Sequence, residues 1–140
     1  MKLRTLAAVA LIALATVVGA LVLFVEGVDA FAFFNLGPVL LVIAAAVLVY
    51  RTGAGQWVDL GVPLVCAGFA ILGLVAFAHL AWHFDWAGTA TGSSTSGLLF
   101  LFLPMWAMLV GGVVTGVTWL LGVAFRGVRS RWLHRRKRDG

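Results

Sequence analysis

Charged residues are absent from four long stretches of this chain, and their spacing constrains the fold more than any other feature. Arg4 and Glu26 enclose 21 uncharged residues, Asp29 and Arg51 another 21, Asp59 and Asp85 enclose 25, and Asp85 and Arg126 enclose 40. About 20 helical residues cross the roughly 30 Å hydrocarbon core of a bilayer. Inside that core each backbone N–H and C=O must be satisfied within the protein, which a helix achieves segment by segment. Each gap therefore admits one span, and the fourth leaves residues over for a loop. The 140 residues are 63% hydrophobic and 11% charged, whereas a soluble domain carries about 25% charged residues. The expected fold is an all-α membrane protein of four transmembrane helices in an antiparallel up-down bundle, with spans at approximately 6–25, 30–50, 60–82 and 98–125. Residues 1–125 form one transmembrane domain, and 126–140 form a basic juxtamembrane C-terminal tail.

All ten Lys and Arg residues fall on one side of such a bundle: Lys2, Arg4, Arg51 and the seven of the tail. The other side carries Glu26, Asp29 and Asp85. An excess of basic residues in short loops and flanks marks the cytoplasmic side. Both termini are thus expected in the cytoplasm, in a multi-pass protein of a bacterial-type cytoplasmic (inner) membrane. Met1-Lys-Leu-Arg4 followed by an apolar run invites a signal-peptide reading, with Val18-Gly19-Ala20 as the cleavage site. The run continues as Leu21–Val25, longer than the 7–15 residues of a typical signal core, so an uncleaved first span is expected.

The net charge of +5 resides in the tail, since the rest of the chain has three basic residues against four acidic ones. Arg126, Arg129, Arg131, Arg135, Arg136, Lys137 and Arg138 are the expected ligands of anionic lipid headgroups, each worth ~1 kcal/mol near the surface. Leu121, Phe125, Val128 and Trp132 continue an apolar stripe that would lay this helix along the membrane. The same charge attracts any polyanion. A tethered tail meets lipid first, so no specific nucleic-acid partner is expected.

Within the spans, Glu26-Gly-Val-Asp29 makes a tight acidic turn between the first two helices. Pro38 withdraws a hydrogen bond from span 2 and predicts a kink near Phe34, with Asn35 bonding locally or to a neighbouring helix. Gly53 and Gly55 mark the inner turn, and Trp57 and Asp59 the start of span 3, one turn before Pro63. Ala87–Gly97, with Thr89–Ser96 at its centre, reads as an exposed loop, with Ser96 as the N-cap of span 4.

Helices in lipid associate where small residues let backbones approach. On span 4, Ala107, Gly111, Thr115, Thr118 and Gly122 fall within an arc of about 80° at the helical period. Gly112 and Gly116 form a second small pair about 100° away. Thr5, Ala8, Ala15 and Gly19 make a seam on span 1 with Ile12 in the intervening place. Span 3 carries Gly61 and Gly68 on one face and Cys66, Ala70 and Gly73 on the other, which predicts a central position. The first reading is that these residues pack four helices into a monomer, since such patterns are frequent in membrane helices. The sharper one is that, because a four-helix bundle needs one face of span 4 and this span offers two, one stripe faces outward and binds a second copy or a larger membrane complex.

Chemistry-bearing patterns are sparse. His79 and His83 are one helical turn apart, and with Asp85 they constitute a candidate metal site for Zn²⁺ or Cu²⁺. Met105 and Met108 add thioethers suited to Cu⁺. The competing reading makes these interfacial residues beside Trp82 and Trp86, with His79 bonded to a helix carbonyl, and it is preferred because tetrahedral sites use tighter ligand sets. Haem held between two histidines needs ligands on different helices, and here both lie on one. No ionisable residue is expected at mid-membrane, which argues against transport by a monomer. No Gly-x-Ser-x-Gly elbow occurs. The expectation is a non-enzymatic accessory or interaction subunit without a cofactor. The alternatives are a transporter or channel component assembled from several copies, through Asn35 or the threonines of span 4, and a metal-handling or redox protein using His79 and His83.

Overall fold

The computed structural model describes residues 3–52, 56–92 and 97–136, the stretch 129–136 as backbone alone. The predicted N-cap Ser96, the turn residues Gly53 and Gly55, and the tail residues Lys137 and Arg138 lie outside the described residues. For Arg129, Arg131, Arg135 and Arg136 only the backbone is described.

The described residues are helical, without a strand: α1 (Leu3–Glu26), α2 (Ala30–Arg51), α3 (Val62–His83) and α4 (Leu98–Arg136). Four stretches are long and apolar enough to cross a membrane: Leu3–Glu26, Ala30–Arg51, Trp57–His83 and Leu98–Val128. The exterior supports that assignment. Val17, Phe24, Leu40, Phe77, Leu109 and Leu120 all stand exposed around the bundle, and an apolar surface of such extent suits lipid rather than water.

One boundary differs from expectation for a physical reason, and a second lies where the apolar stripe already lets the helix continue past Phe125. Span 3 begins earlier, in a π-turn over Trp57–Gly61 whose wide ring is closed by the Val62 N–H on the Trp57 carbonyl. Pro63 has no N–H for the Asp59 carbonyl one turn back, and the wider turn accommodates its ring. Helix α4 runs 39 residues to Arg136, about 58 Å at 1.5 Å per residue. Hydropathy measures the hydrocarbon layer, whereas arginine is a good helix former and lets the helix continue beyond it.

Helices α2 and α3 each pack on all three others, and α1 packs on α2 and α3. The centre assigned to span 3 is thus shared with span 2. Leu11, Ala15, Val18 and Val22 of α1 meet Val39, Val42 and Ala46 of α2, Leu72 and Val75 of α3, and Ala107 of α4 in one core. The α1 seam runs through Ala8, Leu11, Ala15, Val18 and Val22, a three-four spacing that turns Leu11 inward and leaves Ile12 exposed. Leu11, not Ile12, therefore fills the place between Ala8 and Ala15. Glycine sets the closest approaches. A Cβ on Gly68 would stand 2.8 Å from Leu11 Cδ2, and one on Gly111 2.5 Å from Ile71 Cδ1.

The two ends of the bundle differ. At one, the Arg4 guanidinium donates to the Thr52 carbonyl, the C-cap of α2, and Arg126 pairs with Asp59. At the other, the end of α1, the first turns of α2, the last turns of α3 and the start of α4 meet at Glu26, Asn35, His79 and Phe100.

Candidate functional site

Two helix ends position the site. Gly27, at φ +81°, closes α1 by donating its N–H to the Leu23 carbonyl at 3.0 Å, the left-handed conformation that glycine supplies at helix C-termini. Two residues later Asp29 caps α2, its Oδ1 accepting the Ala32 N–H at 2.8 Å. The turn between them is so short that Asn35, on the buried face of α2, comes back to the last residue of α1. Asn35 Nδ2 donates to Glu26 Oε1 at 2.9 Å. From α3, one turn before its end, His79 reaches the same oxygen with Nε2 at 2.9 Å.

The constellation is buried. Asn35 and His79 are 0% exposed, and the Glu26 side chain is 10% exposed. His79 Nδ1 stands 2.7 Å from the Val75 carbonyl. A carbonyl only accepts, so Nδ1 carries a hydrogen. Phe100 closes the site from α4, its ring edge-on to His79 at 4.9 Å and to Trp82 at 5.0 Å.

Two acceptors remain. Glu26 Oε2 and Asn35 Oδ1 are buried without a hydrogen-bond partner among the described residues, and each such group costs about 1–3 kcal/mol. Glu26, with Asp29, Phe31, Trp82, Phe100 and Leu101 among others, lines a cleft of about 480 Å³. The gathering of Glu26, Asn35 and His79 is not assembled by sequence spacing alone. Its signal is the requirement that a buried histidine and asparagine find partners, with one carboxylate at their depth. Glu26, expected as a turn residue, is instead folded inward.

The sequence candidates for metal are dispersed. His79 engages both ring nitrogens inside the bundle, as the carbonyl reading anticipates. His83 is exposed and packs against Phe24 with ring centroids 5.4 Å apart. Asp85 turns back on its own loop: Oδ1 accepts the Ala90 and Thr91 N–H groups at 2.7 and 3.2 Å, and Oδ2 the Thr91 hydroxyl at 2.5 Å. The Thr91 hydroxyl, then the Ala90 N–H, hold its carboxyl below the usual value of 3.8. Among the described residues no three His, Cys, Asp or Glu side chains converge as metal ligands.

On α4, Ala107 and Gly111 are buried, and Thr115, Thr118 and Gly122 are half-buried. The two hydroxyls donate within their own helix, Thr115 to the Gly111 carbonyl at 2.8 Å and Thr118 to that of Val114 at 2.6 Å. Gly112 and Gly116 are exposed, and a Cβ on either would meet nothing within 4 Å. Gly112 also borders a shallow apolar groove of about 230 Å³ walled by Leu41 and Ala45 of α2 and Ala67 of α3. Arg126, one of the expected headgroup ligands, pairs with Asp59.

The chain matches no protein-family model, no curated protein and no solved structure. The class the fold defines is that of a chain whose four apolar helices are compatible with a multi-pass membrane protein.

Proposed function

We propose that this chain is a non-enzymatic accessory subunit of the cytoplasmic membrane, working through helix–helix contacts with itself or a larger membrane complex. The bundle is read as antiparallel and up-down, with both termini cytoplasmic. The joining of Arg4 to Thr52 and of Arg126 to Asp59 at one end supports that arrangement, as does the positive-inside distribution of the ten basic residues. The observation that carries the association is the bare face at Gly112 and Gly116, continuous with the groove over α2 and α3. A partner helix laid there would gain close backbone approach at two glycines one turn apart. Gly112→Trp and Gly116→Trp test it in native gels of mild-detergent extracts. Loss of the complex with an intact monomer supports the reading, and an unchanged complex in both variants contradicts it.

A second reading, a transporter component assembled from several copies, is supported by the buried Glu26–His79 pair, an ionisable group within the bundle. The hydroxyls of Thr115 and Thr118 are taken by their own helix, so Glu26 and His79 would carry that role instead. Native mass spectrometry separates a homo-oligomer from a complex with a different partner.

A further inference from the structure

Independently of any association through α4, we propose that the cleft beside Glu26 binds a lipophilic organic ammonium: a protonated amine on an apolar, preferably aromatic, body.

The polar groups of the cleft are matched to such a ligand. Glu26 lines it, and of its two carboxylate oxygens Oε1 is committed to His79 and Asn35 while Oε2 is buried without a partner. A side chain nine-tenths buried that retains an unused acceptor calls for a donor, and an ammonium N–H is one. Charge follows the same direction. Asp29, also on the cleft wall, adds a second carboxylate. Among the described residues neither Lys nor Arg lines the cleft. The described basic side chains that make polar contacts, Arg4 and Arg126, do so at the opposite end of the bundle.

The walls fit the rest of the molecule. Phe31, Trp82 and Phe100 present aromatic rings, which attract cations through their negative faces as well as apolar groups. A volume of about 480 Å³ falls in the range of pockets that hold drug-sized molecules, ~300–1,000 Å³. An anionic ligand would face Asp29 with no compensating cation, and a neutral hydrocarbon would leave Oε2 unpaired.

The test uses the full chain in zwitterionic lipid nanodiscs and dansylcadaverine, whose aromatic body carries a primary ammonium. Fluorescence anisotropy is read against empty nanodiscs. Saturable binding is expected, weakened about tenfold or more by acetylation of the amine. In Glu26→Gln the free acceptor becomes an amide donor, and affinity should fall by a similar factor. Asp29→Ser keeps an N-cap while removing the charge, and should weaken binding about threefold. Leu101→Trp fills the cleft from α4 without changing any member of the polar cluster and should abolish saturation, so the test stands even where Glu26→Gln fails to fold. Absence of saturable binding, equal affinity for the acetylated probe, or binding unaltered by Leu101→Trp would each overturn the proposal.

Discussion

Glu26 Oε1 stands 2.9 Å from His79 Nε2, although 53 positions separate the two residues in the chain. The same oxygen takes the Asn35 amide at 2.9 Å. One carboxylate oxygen thereby ties α1 to α2 and α3 at the end of the bundle away from Arg126. In a main core where helices meet through small and aliphatic side chains, this junction fixes register: sliding α1 by a turn separates Glu26 from both partners and strands three buried polar groups.

Glycine positions on α4 and α3 should divide sharply by contact. Gly68→Ala and Gly111→Ala push a methyl against Leu11 and Ile71, and each should cost about 1–3 kcal/mol as the neighbours shift. Gly112→Ala and Gly116→Ala meet nothing within 4 Å and should leave the monomer unharmed or gain up to about 1 kcal/mol of helix propensity. Denaturation of the monomer in mixed micelles, with helicity as the readout, measures all four.

Acid should loosen the loop after α3. The Asp85 carboxyl is held below its ordinary value of 3.8 by the Thr91 hydroxyl and the Ala90 N–H. A depressed carboxyl stabilises the fold fully above its unfolded value and loses that contribution as pH falls through the folded one. The order of the loop should therefore be constant above about pH 4 and decline below it. Amide exchange at Ala90 and Thr91 should rise in that acid range, and Asp85→Asn should abolish the pH step.

Sidedness is accessible to cysteine labelling. In a Cys66→Ala background, which removes the single native cysteine, Val28→Cys sits in the exposed α1–α2 turn and Gln56→Cys in the exposed turn before α3. An impermeant maleimide should label Val28→Cys in intact cells and Gln56→Cys only after permeabilisation. The reverse pattern would show the opposite orientation.

The four spans are legible in the sequence because the bilayer imposes one length on every uncharged run, and Arg4–Glu26 or Asp29–Arg51 reads as a helix before any packing is considered. The same rule loses accuracy where a different force sets the end, as at Pro63, where a π-turn extends the helix back to Trp57. Side-chain direction is less legible. Ile12 and Leu11 are adjacent and both apolar, and only packing against the other helices, with Gly68 close to Leu11, distinguishes the inward one. Asp85 and Glu26 both read as acids near a membrane edge. Asp85 closes on its own loop, whereas the turn forced by Gly27 and Asp29 folds Glu26 under Asn35. That outcome depends on where two other helices end, which no local pattern in α1 contains.

The pairing of Glu26 with His79 is tested most directly by a double-mutant cycle in mixed micelles, with Glu26→Leu, His79→Leu and the double variant. Each single change should destabilise the bundle by about 2–4 kcal/mol, because it leaves its partner buried and unpaired. The double variant should recover about 1–2 kcal/mol relative to the sum. Strict additivity of the two single effects would contradict the account, since it would mean that Glu26 and His79 do not act on one another.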